Sequence, residues 1–147
     1  MSIMNLLFGS KKRIETAKLG IFEAKIKNEK TAKDITWLST VEITDYSNDI
    51  TIILEGDGYG PEQKQLESAT WIIENIKIIN DELVSKINND STLNEKYRKF
   101  DLYDLRLSCL NPWEISLNSY ELSFESKRND EFAVSVIIQN EKIIKID

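Results

Sequence analysis

The stretch Ile50-Thr51-Ile52-Ile53-Leu54-Glu55, then Gly56-Asp57-Gly58-Tyr59-Gly60-Pro61, then an amphipathic run from Glu62 to Asn89, decides the fold. Its first part alternates as a half-buried strand does. The glycine cluster reads as a tight strand-to-helix turn, with glycine supplying the positive φ such turns need. Pro61 suits the first turn of a helix, where its missing N–H costs nothing, and Glu62 favours the positive end of the helix dipole. Beyond it Leu66, Ala69, Ile72, Ile73, Ile76, Ile79, Leu83, Val84 and Ile87 recur at helical spacing and form one broad stripe. One long helix covering a sheet is therefore expected. Asn88-Asn89-Asp90 is a stop signal, and Thr92-Leu93-Asn94-Glu95 matches a capping box for a short second helix carrying Leu93, Tyr97 and Phe100.

Working outward, period-two alternation recurs on both sides. Upstream it marks Leu19 to Lys27, with Phe22, Ala24 and Ile26 on one face, and Ile35 to Thr44, with Ile35, Trp37, Val41 and Ile43. The polar turns Asn28-Glu29-Lys30 and Asp45-Tyr46-Ser47-Asn48-Asp49 join these strands as antiparallel hairpins. Downstream it marks Tyr103, Leu105, Leu107 and Cys109; Tyr120, Leu122 and Phe124; Phe132, Val134, Val136 and Ile138; and Ile144 with Ile146. Turns fall at Arg128-Asn129-Asp130 and Asn140-Glu141. The expectation is an α+β protein: a mostly antiparallel sheet of about six to seven strands, with the long helix packed on one face. At 147 residues the chain reads as one domain, with residues 1–18 as a loosely attached N-terminal segment. Trp37 and Trp113 read as core, and Cys109, on an apolar face, as a buried inert thiol.

Composition narrows the function. The chain is 41% hydrophobic and 30% charged, which argues for a packed core and against disorder. Its net charge of −6 disfavours nucleic acid or an anionic membrane as the main partner and suits a basic protein. That charge is uneven. Residues 1–30 carry seven Lys/Arg against three Asp/Glu, whereas residues 31–75 carry two against nine. No secretory signal pattern opens the sequence, no run of eighteen apolar residues occurs, and one cysteine permits no internal disulfide. A cytoplasmic location is expected. Abundant Ile, Lys and Asn with few Arg and Pro fit an AT-rich coding sequence and a bacterial source.

No catalytic, cofactor or metal site is expected. The chain has no histidine and a single cysteine, so the commonest groups for proton transfer, thiol chemistry and zinc binding are nearly absent. The glycine loop lacks the Lys-Ser/Thr of a phosphate-binding loop, and Asp57 and Glu62 repel phosphate. The carboxylate pairs Asp45/Asp49, Glu55/Asp57 and Asp101/Asp104 read as solvated loop residues rather than as acid–base or cation sites. Neither a Ser-x-x-Lys tetrad nor a Gly-x-Ser-x-Gly elbow occurs, and Ser123 and Lys127 stand about 13 Å apart on a strand.

The anomaly is on the long helix, where Trp71 and Ile78 fall opposite the core stripe among Glu67, Glu74 and Glu82. A tryptophan inside a polar rim is an interface pattern. The alternative is that Leu6-Leu7-Phe8 or a C-terminal strand folds over the pair. The order Leu19-Gly20-Ile21-Phe22, Trp37, Ile50 to Leu54, Pro61-Glu62-Gln63 and a closing meander resembles small bacterial α+β domains, some of which occur as immunity proteins beside polymorphic or contact-dependent toxins. That resemblance implies a non-enzymatic acidic protein that blocks a basic toxin domain by binding. The expected contact residues are Asp45, Asp49, Glu55, Asp57, Tyr59, Glu62, Glu67, Trp71, Glu74 and Ile78. Self-association as a homodimer is the alternative, and an enzyme of unrecognised type a third.

Overall fold

The computed structural model describes residues 3–43, 49–128 and 132–147. Eight strands form one sheet in sequence order: β1 (Ser10–Glu15), β2 (Ile21–Ile26), β3 (Ile35–Glu42), β4 (Asp49–Gly56), β5 (Leu105–Pro112), β6 (Ser119–Ser126), β7 (Ala133–Gln139) and β8 (Lys142–Ile146). All neighbours are antiparallel except β4 and β5, which pair in parallel at Thr51/Cys109 and Ile52/Leu110. Between them the chain crosses one face of the sheet through α2 (Gln63–Glu74), α3 (Ile76–Asn89) and α4 (Ser91–Tyr97). A short helix, α1 (Ile3–Phe8), precedes β1. The α+β class and the mainly antiparallel sheet agree with expectation, with more strands than expected. The additional one, β1, comes from the segment expected to be loosely attached: it pairs with β2 from Ser10/Ile26 to Glu15/Ile21.

The core lies between helices and sheet. Phe22, Trp37, Ile50, Ile52, Leu54, Leu107, Leu122, Phe124 and Val136 point into it from the strands, and Ala69, Ile72, Ile76, Ile79, Leu83 and Ile87 from the helices. The opposite sheet face is open, with Ile21 and Leu38 exposed on it. There β2 and β3 meet at a single registered pair, Glu23/Leu38.

Five expectations are corrected by local chemistry. The helical run is two helices, broken at Asn75 (φ −108°, ψ 16°). The Asn75 side-chain amide and its backbone N–H both donate to the carbonyl of Trp71, at 2.8 and 3.0 Å, so the side chain competes with the helical ladder. The fourth helix is capped by Asp90, whose carboxylate accepts the Leu93 N–H at 2.9 Å, and not by Thr92. A bulge between Leu107 and Cys109 breaks the alternation of β5, so Leu110 takes the core position and Cys109 is only half-buried. Tyr103, expected on the same apolar face, sits exposed in a 3-10 turn (Leu102–Asp104). In β8 a second bulge lets Ile143 and Ile146 pack on the core, leaving Ile144 exposed.

Asp104 fastens the start of β5 to the end of β6. Its carboxylate accepts the Ser126 hydroxyl at 2.6 Å and the Arg128 backbone N–H at 3.0 Å. The Ser126 hydrogen bond, followed by the Arg128 backbone bond and the Arg128 and Arg106 charges, outweighs burial and lowers the Asp104 pKa. The stabilisation is present above the unfolded carboxylate value of about 3.9 and is lost as pH falls through the lower folded value. Urea unfolding should therefore show an acid-side loss of stability below about pH 4 that Asp104→Asn makes shallower. Asn80 is the reverse case: it is buried, and its Oδ1 has no hydrogen-bond partner among the described residues. Asn80→Leu should raise the urea midpoint, by about 1–2 kcal/mol in stability.

Candidate protein-interaction site

Because β4 and β5 run parallel, the loops that leave them emerge at the same end of the sheet. Antiparallel pairing of the remaining strands brings the β2–β3 connection and the Asn140-Glu141 turn to that end as well. Four chain connections thus form one surface.

The β4–α2 loop is tied down from several sides. The Asp57 N–H donates to the Gly60 carbonyl at 3.1 Å, and the Asp57 carboxylate accepts the Tyr59 N–H at 2.8 Å. Trp37, fully buried in β3, donates its indole N–H to the Asp57 carbonyl at 3.1 Å. The Gly58 N–H donates to the Ala32 carbonyl at 3.2 Å, and the Lys12 amine donates to the Gly58 carbonyl at 3.1 Å. The glycines are needed for close approach, not for positive φ as expected. A Cβ on Gly56 would lie 2.0 Å from the Gly60 oxygen, and one on Gly58 would lie 2.3 Å from the Glu29 oxygen, yet neither residue has a positive φ. Pro61 lies before the helix rather than in its first turn, bridged to Gly56, and Glu62 is the N-cap residue without a side-chain cap bond. The buried Gln65 completes the junction: its carbonyl accepts the Glu55 N–H at 2.8 Å and its amide donates to the Glu62 carboxylate at 3.1 Å.

The β5–β6 loop is a second rigid element. The buried Ser119 staples it, with its hydroxyl accepting the Glu114 N–H at 3.0 Å and its carbonyl accepting the Trp113 N–H at 2.9 Å. A 3-10 turn (Ile115–Leu117) ends at Asn118, in the left-handed region at φ 51°, whose side-chain oxygen accepts the Ser68 hydroxyl from α2 at 3.0 Å. Trp113 is 53% exposed, Ile115 42% and Leu117 46%; Trp113 is therefore surface, not core.

The two loops share a groove of about 640 Å³. Asp34, Glu55, Asp57 and Glu62 line it with Lys33, and Ile115 closes one side. Across α2 a smaller cleft of about 220 Å³ runs between Trp71 and Asn118, lined also by Glu67, Glu141 and Lys64. Within it burial pushes the Tyr120 hydroxyl up from its ordinary value. Elsewhere carboxylates meet cations: Glu23 with Lys11 and Arg13, Glu29 with Lys12, Glu74 with Lys18. Glu55, Asp57, Glu62, Glu67 and Glu114 form no ion pair among the described residues.

The structure thus brings together six of the ten expected contact residues and adds others. Glu55, Asp57 and Glu62 line the groove, Glu67 and Trp71 the cleft, and Tyr59, 57% exposed, stands on the loop with Lys12 over its ring. Asp49 lies at the opposite end of β4, beside Arg106. Glu74 is neutralised by Lys18, and Ile78, 64% exposed, lies beyond the Asn75 break. Trp71 is half-buried against the core and does not form an exposed pair with Ile78; Leu7 and Phe8 are themselves exposed. Asp45 falls outside the described residues. Trp113, Ile115 and Leu117 were missed, although three apolar side chains at alternate positions in a turn region are a readable signal.

Asp101 and Asp104 are engaged in local hydrogen bonds, and no group of three or more Cys, Asp or Glu side chains among the described residues is arranged to hold a metal ion. Burial, and then the Glu121 charge, push the Cys109 thiol up, which disfavours a thiolate. No family model matches the chain, and neither curated proteins nor solved structures give a match. The rigidity of the surface is testable: Gly58→Ala forces its new methyl against the Glu29 backbone and should cost about 1–3 kcal/mol, read as a lower urea midpoint.

Proposed function

We propose that this chain is a non-enzymatic acidic binding protein of immunity type, which acts in the cytoplasm by docking the loop end of its sheet onto a basic toxin domain. One observation carries the reading: Tyr59, Trp113, Ile115 and Leu117 are exposed on the two loops that border a groove rich in carboxylates, of which Glu55, Asp57 and Glu62 form no ion pair among the described residues, with Lys33 as the cation that also lines it. Unpaired charges of one sign speed encounter with an oppositely charged partner and reject like-charged ones, while apolar groups at their centre supply affinity. Ile78, exposed on α3, favours a second reading, a module that pairs with another copy of itself.

The test is protection. A basic toxin domain encoded beside this chain is expressed in a sensitive host, with and without the wild-type protein. A triple variant, Glu55→Lys, Glu62→Lys and Glu67→Lys, should abolish rescue and slow association by about tenfold or more at low salt. Sedimentation of the isolated chain reads self-association in parallel. Undiminished rescue by the triple variant, or affinity capture in low salt that recovers no basic protein, would count against this function.

A further inference from the structure

We infer that the knuckle from Trp113 to Leu117 is the affinity anchor of the docking end, and that its partner is a protein bearing an apolar cleft ringed by Lys and Arg. The partner's charge rests on the function proposed above; the anchor rests on separate observations. First, Trp113, Ile115 and Leu117 are large apolar groups on a turn, where side chains are ordinarily polar, and about half of each stays in water. Second, the turn is already fixed by the Ser119 staple and by the Ser68 hydroxyl on Asn118, so little chain entropy remains to be lost on docking. Third, the rim is mainly acidic. Ile115 borders the groove that holds Asp34, Glu55, Asp57 and Glu62 against one cation, Lys33, and the exposed Glu114 belongs to the knuckle itself.

An apolar turn beside a mainly acidic groove is complementary to an apolar cleft flanked by cations, and to few other surfaces. A lipid surface with anionic headgroups is repelled by the rim. The exposed apolar side chains of α1 have no such rim, because the neighbouring Lys11, Lys12 and Arg13 are already paired with Glu23 and Glu29. Charge complementarity therefore singles out the knuckle.

The experiment uses two synthetic probes, oligolysine and a helical amphipathic peptide built from Leu and Lys, titrated against the whole chain. Trp113 is the most exposed of the three tryptophans, Trp37 is fully buried and Trp71 is half-buried in the neighbouring cleft, so the part of the emission change that Trp113→Ser removes reports on the knuckle. The amphipathic peptide should bind more tightly than oligolysine and shift the emission to the blue. Trp113→Ser and, separately, Ile115→Ser should each weaken its binding by about thirtyfold, mainly through faster dissociation, with the urea midpoint unchanged because both side chains are exposed. Glu62→Lys should instead slow association of both peptides.

Wild-type affinity in both knuckle variants overturns the anchor, and leaves the acidic docking end intact if Glu62→Lys still slows binding. Loss in the knuckle variants with no effect of Glu62→Lys upholds the anchor and sinks the proposed electrostatic docking. A failure of the amphipathic peptide to outbind oligolysine overturns the inference. So does a concentration-dependent dimer that Trp113→Ser dissolves, since the knuckle's partner is then a second copy.

Discussion

Parallel pairing of β4 with β5 is the constraint on which the rest depends. A tight hairpin cannot join parallel neighbours, so the chain between Gly56 and Leu105 has to cross a face of the sheet. The crossover is helical and apolar on one side, which creates the core and leaves the opposite face open. The same pairing sends the exits of both strands to one end, which is why the Asp57–Glu62 loop and the Trp113–Asn118 knuckle share a groove although they lie far apart in the chain. Without it, the acidic and apolar parts of the proposed docking end would not be neighbours.

The same geometry leaves acidic charge in excess at that end, with Lys33 and Lys64 as the cations lining the groove and the cleft. Three cations of the first thirty residues are engaged along β1 and β2, where Lys11 and Arg13 flank Glu23, and Lys12 reaches Glu29 and the Gly58 carbonyl, while Lys25, Lys27 and Lys30 form no ion pair among the described residues. Glu23 is held below its ordinary carboxylate range by that pairing, led by the Lys11 hydrogen bond. The basic strand thus braces the back of the loop through backbone and Glu29, not through the carboxylates of the groove. Surface pairs of this kind contribute little to stability, so their larger consequence is where they leave charge unmatched.

Much of the fold was legible in the sequence, because periodicity reports burial directly. Phe22, Ala24 and Ile26, and Tyr120, Leu122 and Phe124, are buried as their alternation requires, and the helical stripe from Ala69 to Ile87 is buried throughout. Most of the misses share a cause: a local backbone event shifted the phase. Asn75 broke one helix into two and separated Trp71 from Ile78; the bulge after Leu107 exchanged Cys109 for Leu110; β1 escaped notice because Lys11, Lys12 and Arg13 mask its alternation. Only part of the proposed contact surface was legible. Acidic residues near the glycine loop were readable from composition, whereas the knuckle joined them through a parallel pairing that no local pattern announces.

How the loops are held also bears on what this end can become. Nearly all bonds closing the Asp57–Glu62 loop and the knuckle run through backbone atoms or through the buried Ser119, Gln65 and Trp37. The side chains that face solvent, Glu55, Tyr59, Trp113, Ile115 and Leu117, carry little of that load, whereas Glu62 sits at the N-cap of α2 and accepts the Gln65 amide. Substituting those five has small effect on stability, since exposed positions away from caps and core seldom cost more than about 0.5 kcal/mol. A scaffold that holds its loops independently of their outward side chains would let the proposed contact residues change while the meander and its crossover stay as they are, which is the demand that the proposed neutralisation of a basic toxin would place on it.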